Sequence, residues 1–439
     1  MFLSALLLVA CSKSGGAPPS SPPPSAPPVV ASAAPSAAPA AAASAQPETP
    51  AEHAEKLAHR YIIVDGHIDV PYRLADGRDK DGKLTEDVTG PTQKGNFDYP
   101  RAVKGGLDAP FFSIYVPARY MGHGAKKFAE SLIDIVQGIV RQAPDHFALA
   151  GTPDEVRKNF AEHKITLLMG MENGSPIEDK LDNVQHFYDR GVRYITLAHS
   201  KDNHIADSSY DTHNTNNGLS KFGVKVVREM NRVGILVDVS HISDKAFWGV
   251  MKASQVPVIA SHSSCRHFTP GFERNMSDDM IKALAAHGGV IMVNFGSGFV
   301  DAKIQKEDET EFKQLQALLA KKGLSFGDKG AKKIRKAFEK EHPHEHARVE
   351  EVADNIEHVI ELVGVDHVGL GSDFDGLGDT LPQGLEDVSK YPNLIRLLIE
   401  RGHSDSEIRK ICSGNLLRVW QKTVDYAARQ AGATNKPAR

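Results

Sequence analysis

The chain has 439 residues, a formal net charge of −4 and 25% charged residues, with acids and bases mixed along its length. That balance speaks against a nucleic-acid partner, for which a basic stripe or tail would be needed. The length is high for one domain, but α/β barrels routinely reach it.

In chain order, residues 1–11 come first, MFLSALLLVAC. The apolar run from Phe2 to Ala10 is far too short to span a bilayer. It resembles the apolar core of a secretory signal. Its ending, Leu8-Val9-Ala10-Cys11, resembles a bacterial lipobox, although no Lys or Arg precedes the run. A lipidated Cys11 is expected to hold the protein on a membrane of the cell envelope, facing the periplasm or the surface, without spanning it. Residues 12–50 are almost entirely Pro, Ala, Ser and small polar residues. Such a stretch buries too little apolar area to offset its ordering entropy, so it is expected to be a disordered tether. The globular part is expected over 51–430, with a disordered tail at 431–439. Two further cysteines, Cys265 and Cys412, are expected as separate buried thiols.

Eight apolar, strand-like runs follow, at 61–65, 109–116, 165–171, 192–198, 235–239, 257–261, 290–294 and 367–371. Amphipathic, helix-like segments lie between them, for example 182–190, 221–233, 278–287 and 349–363. Regular strand–helix alternation predicts a parallel sheet covered by helices. Eight such units predict a closed (β/α)8 TIM barrel. Residues 301–348 are rich in Lys and Glu and break the rhythm; they read as a helical insertion after the seventh strand.

Metal-competent residues recur where the strands end. His67 and Asp69 follow the first strand, in VDGHIDVPYRL, and Glu172 the third, in MGMENGSP. His199, His241 and His262 follow the fourth, fifth and sixth, and Asp373 follows the eighth, in GLGSDFDG. All C-terminal strand ends of a parallel barrel open on one face, where active sites sit. His67 and Asp69, two apart, are expected to share a side of the first strand. Imidazoles and carboxylates without Cys suit Zn2+, with Mn2+, Co2+ or Fe2+ nearly as well. The candidates are too many for one closed site and about right for two ions bridged by a carboxylate such as Glu172. Two ions could activate a water against a carbonyl, and Asp373 has the position and type for an acid/base group.

These motifs, in this order, resemble the membrane (renal) dipeptidase family of amidohydrolase-type metallopeptidases. The resemblance spans roughly residues 60–425, through NFDYPRAVKGGLDAPFFSIYVPA, GMENGSP, GVRYITLAHSKDNHIADS, GLSKFGVKVVREMNRVGILVDVSH, VIASHSSCRHF, RNMSDDMI and HVGLGSDFDG. It implies two Zn2+, one on His67 and Asp69, one on His241 and His262, bridged by Glu172. It implies that His199 steadies the scissile carbonyl oxygen, that Arg274 grips the terminal carboxylate of a dipeptide, and that Asp373 shuttles the proton. It also implies tolerance of a C-terminal D-residue and a homodimer. Hydrolysis of an N-acyl amino acid or a lactone is the rival reaction, and a catalytically inactive binding lipoprotein the rival from another class.

Other features invite plainer readings. His342-Pro-His344-Glu-His346 is expected to be solvated surface within the insertion. Trp248 and Trp420 are expected in the core or an interface. His204 and His213, in the polar loop after the fourth strand, could lie at the surface or reach the substrate.

Overall fold

A computed structural model describes residues 48–324 and 330–434. The signal-like segment, Cys11 and the tether as far as residue 47 lie outside the described residues. Pro50, expected to end the tether, is instead the first residue of helix Pro50–Arg60. Thr49 and Glu52 cap that helix reciprocally: Thr49 Oγ1 accepts from the Glu52 N–H, and the Glu52 carboxylate accepts from the Thr49 N–H. At the far end, helix Asn415–Thr434 runs past residue 430, where the globular part was expected to stop.

Among the described residues ten strands form: β1 Ile63–Ile68, β2 Leu107–Tyr115, β3 Phe147–Ala148, β4 Ile165–Thr166, β5 Leu168–Glu172, β6 Val192–Thr196, β7 Leu236–Asp238, β8 Ile259–Ala260, β9 Val290–Val293 and β10 Val368–Leu370. Eight close a barrel in the order β1-β10-β9-β8-β7-β6-β5-β2, each pair parallel. The TIM barrel is thus present. One expected strand divides. Residues 165–171 form β4, which pairs with β3 in a side sheet, and β5, which enters the barrel. Leu167 between them donates its N–H to the Ala148 carbonyl at 2.8 Å, which holds the chain on the side sheet for one residue more.

The strands bury both faces, as parallel strands covered by helices must. One set of alternating residues packs outward against the helices. The other fills the lumen: Val64, Phe111, Leu168, Tyr194, Leu236, Ile259 and Val290 share a cluster with Leu416, Leu417 and Trp420 of the last helix. That helix therefore plugs the barrel floor. Cys265 and Cys412 are buried, separate thiols, as expected.

The insertion after β9 holds helices Ala302–Ala320 and Ala331–Glu341, with a small core of their own around Leu315, Leu319 and Ala331. No helix among the described residues is long and apolar enough to cross a membrane.

Candidate active site

Two residues beyond the apolar lumen positions, the same strand faces turn polar. Glu172 stands above Leu168 and Gly170, Thr196 above Tyr194, Asp238 above Leu236, Ser261 above Ile259, and Asn294 above Met292. Strand parity alone puts them in the barrel mouth. Just beyond, the chain turns and presents His199, His241, His262 and Asp373. Asn173, His241 and Asp373 hold φ of 76°, 67° and 63°. Left-handed backbone at such residues costs on the order of 1–3 kcal/mol each, and it aims side chains that a regular strand would point elsewhere.

Glu172 lies at the centre and is almost fully buried. Its Oε2 faces His67 Nε2 at 3.4 Å, and that nitrogen lies 3.3 Å from Asp69 Oδ2. Its Oε1 faces the Nε2 atoms of His241 at 3.0 Å, His262 at 3.4 Å and His199 at 3.4 Å. Asp373 joins His67 and His262 in a third overlapping group. The residues expected at the site therefore meet there. One expectation changes in detail: Asp69 is not on the strand with His67 but stands at the N-terminal boundary of helix Val70–Asp76, its side chain making no cap bond. A turn, rather than strand alternation, brings the two together.

The donor set fits divalent cations. His67 Nε2, Asp69 Oδ1 and His241 Nδ1 are buried without a hydrogen-bond partner, a costly state for polar atoms. The Nε2 atoms of His241 and His262 approach to 2.7 Å. The tautomer of His262 can be followed through its neighbours. Ser261 Oγ donates to Asp238 Oδ2 at 2.7 Å, so it is free to accept from His262 Nδ1, also at 2.7 Å. His262 Nε2 then turns a lone pair into the mouth. His67 Nδ1 likewise meets the Tyr194 hydroxyl at 2.7 Å, which frees its Nε2. Outer partners that fix imidazole tautomers are the habit of metal ligands. Tyr194 can lie there because Gly170 has no Cβ, which would collide with its ring.

Burial, reinforced by Arg274, pushes His241 well below the usual imidazole range, and burial with the neighbouring His67 does the same to His262. His67 shifts the other way: burial lowers it, but Tyr194, Glu172 and Asp69 together hold it above that range, as acidic groups around an imidazole do unless a cation shares them. Burial also lowers His199. Neutral imidazoles are ligands. Burial pushes the Asp373 carboxyl up to about 8; His67 opposes the rise, while Asp69 and Glu172 add to it. Asn294 Nδ2 donates to Asp373 Oδ2 at 2.9 Å and orients it.

Arg274 is buried beside the cluster. It donates to Ser263 Oγ and to the His262 carbonyl, both at 2.8 Å, and its Nη2 lies 3.1 Å from His241 Nε2. Its guanidinium sits 5.3 Å from the centre of the Phe299 ring.

Sequence reasoning missed the polar layer below the candidate ligands. Asp238 accepts from Thr196 Oγ1, Ser261 Oγ and the N–H groups of Ser240 and Ser261. Asp65 accepts from the N–H groups of His67 and Ser372 and from the Tyr391 hydroxyl. The signal was present: each is a lone acid inside an apolar strand run, IIVDG and ILVDV. The two open histidines lie apart from the cluster, His213 exposed on Asp211 and His204 against Phe222. Trp420 is core, whereas Trp248 is substantially exposed.

Residues 51–434 match the membrane dipeptidase family, peptidase family M19. The chain belongs to that family. It is thereby placed among metal-dependent hydrolases acting on dipeptides. It is 34% identical over 346 residues to the dipeptidase tcpJ of Claviceps purpurea, covering 77% of this chain and 72% of the relative. Among solved structures, a probable dipeptidase, PvdM, of Pseudomonas aeruginosa is similar with a TM-score of 0.73 at 29% identity, over 86% of this chain and 99% of that one. A metallopeptidase of Rhodobacter sphaeroides, liganded with a phosphinate mimic of L-Ala-D-Ala, gives 0.65 at 25% identity, over 83% and 99%.

Proposed function

We propose that this chain hydrolyses the peptide bond of free dipeptides, including those with a C-terminal D-residue, with two zinc ions held by His67, Asp69, Glu172, His241 and His262. The observation that carries the reading is the division of Glu172: one oxygen faces His67, the other faces His241 and His262. When bound, such a pair of ions makes water acidic enough to attack near neutral pH and polarises the scissile carbonyl. The protein's own groups do the rest. Asp373 takes the proton of the attacking water and returns it to the leaving amine. His199 hydrogen-bonds the carbonyl oxygen as charge develops there. Arg274 offers its planar fork to the C-terminal carboxylate. Arg274 adjoins His241, so a carboxylate held on it lies close to the reacting centre, which favours short substrates. The D-residue reading takes support from the mimic bound by the Rhodobacter relative.

In the same reading, Cys11 is lipidated, residues 12–47 tether the barrel to a bacterial envelope membrane, and the barrel pairs as a homodimer. The signal-like run and the length of the Pro/Ala/Ser stretch support the tether.

The test is a panel of L-Ala-L-Ala, L-Ala-D-Ala, N-acetyl-alanine and tri-alanine, incubated with the zinc-loaded full chain with and without chelator. Chelator-sensitive release of amine from the two dipeptides alone is expected. Turnover of N-acetyl-alanine but of neither dipeptide would transfer the metal site to the N-acyl amino acid reaction.

A further inference from the structure

The insertion carries a second cluster of ligand-type side chains, outside the barrel. Asp308 and Glu311 sit one turn apart on helix Ala302–Ala320 and so project from one face. His344 reaches them from the segment after helix Ala331–Glu341, in the tract expected to be solvated surface. That expectation fails for His344. Its side chain is three-quarters buried, at 24% exposure, and its Nδ1 is buried without a hydrogen-bond partner. The neighbouring histidines differ: His342 Nδ1 donates to the Phe338 carbonyl at 3.0 Å, and His346 Nδ1 to the Leu381 carbonyl at 2.8 Å. His344 Nδ1 instead points between Asp308 Oδ1, at 3.5 Å, and Glu311 Oε2, at 3.8 Å.

We propose that Asp308, Glu311 and His344 hold a divalent transition-metal ion of the zinc class, at a site separate from the reaction centre, which closes the two ends of the insertion on each other where they leave and rejoin the barrel. The three ligand atoms lie within 4.8 Å of one another. The two His344 separations are too long for hydrogen bonds. They are close to what separates donors sharing one ion at ~2.0–2.2 Å. An imidazole with two carboxylates suits Zn2+, Mn2+ or Co2+ and is a poor cage for Ca2+ or Mg2+, which prefer oxygen alone. Water would complete the shell on the open side.

The surroundings fit a clamp. Asp308 Oδ2 lies against Gly298, in the place a Cβ there would take. Gly298 belongs to the short helix Ser297–Val300 that follows β9. Ser297 Oγ accepts from the Ala347 N–H at 3.0 Å, three residues past His344. Phe299, in the same turn, packs on Arg274. The nearby Lys303 is engaged with Glu345 and Glu307. Burial and the neighbouring Glu311 both disfavour a charged Asp308, and His344 opposes them; a cation would stabilise both carboxylates.

The competing account is an ion-pair triad in which His344 is protonated and no metal binds. The experiment compares the wild-type chain with His344→Gln and Glu311→Gln. Each full-length protein is saturated with Zn2+, desalted, and its zinc per chain counted by mass spectrometry. The proposal expects the wild type to retain one zinc more than either variant, and Zn2+ to raise its melting temperature further than theirs. Equal counts in all three would overturn it and leave the ion-pair triad. Glu311 lies at the rim, so Glu311→Gln keeps the comparison decisive should His344→Gln not fold. The result is a difference between proteins that share an unaltered barrel site, so it stands whatever that site holds. Dipeptide turnover of the same samples reports on the barrel separately.

Discussion

The lower and upper halves of the barrel lumen are built from the same strands with the same alternation, yet they do opposite things. Below, Phe111, Leu168, Tyr194, Leu236 and Ile259 pack dry against Trp420. Two residues further along, or four in the case of Glu172, the strands carry Glu172, Thr196, Asp238 and Ser261, which replace carbon with oxygen. The lower half stabilises by removing apolar area from water. The upper half costs stability, through buried charge and left-handed backbone, and in return holds reactive groups in fixed positions. A single chain supports the second because the first is complete: the floor is sealed before the polar layer begins. Tyr194 joins the halves, with its ring in the apolar layer and its hydroxyl on His67.

Three substitutions sharpen the contrast. Trp420→Ala opens the floor and should cost roughly 3–5 kcal/mol, the usual range for a large aromatic in a core. Denaturant unfolding measures this, and zinc per folded chain should not change. Should metal content fall with stability, the two halves are not separable. Ser261→Ala removes the hydroxyl that accepts from His262 and donates to Asp238. It should weaken zinc binding about 10–100-fold, as loss of an outer partner does, with little change in melting temperature for the metal-free protein. A chelator-competition titration reads that affinity, and a wild-type value would end the role given to Ser261.

The smallest effect lies outside the barrel mouth. Asp108 accepts from the Ile63 N–H at 2.9 Å, and burial pushes its carboxyl up to about 8. The folded state therefore keeps this proton while the unfolded chain, near the ordinary value of about 4, has lost it. Between those values the unfolded state binds fewer protons, so stability falls as pH rises. Asp108→Asn keeps the acceptor and removes the titration. Relative to wild type it should gain roughly 1 kcal/mol over the single unit from pH 6 to pH 7, the worth of one proton difference across one pH unit. Parallel stability–pH curves for the two proteins would contradict this.

The same division explains what could be read in the sequence. The eight barrel strands were legible because each is an apolar run bounded by a helix-like segment. The residues that gather around Glu172 were legible because they fall at run ends, in register with the strand count. Asp238 and Asp65 were harder to place: an acid inside an apolar run has meaning only once the lumen face is known. Asp69 was brought to His67 for the wrong geometric reason, since the turn into helix Val70–Asp76 does not show in a two-residue spacing. The division of residues 165–171 depends on the partner strand β3, a two-residue element with no pattern of its own. His344 was misread because a histidine-rich tract between charged helices looks exposed until the helices pack.

The most direct test of the central claim, that the upper lumen is a hydrolytic centre whose proton is handled by Asp373, is Asp373→Asn. The variant removes the ionisable group and keeps its shape and its contact with Asn294. Zinc per chain and turnover of L-Ala-D-Ala are measured on the same sample. The account predicts wild-type metal content with kcat lower by roughly 10²–10⁴-fold, the usual worth of a positioned acid/base group. Wild-type metal content with kcat near that of wild type would contradict it.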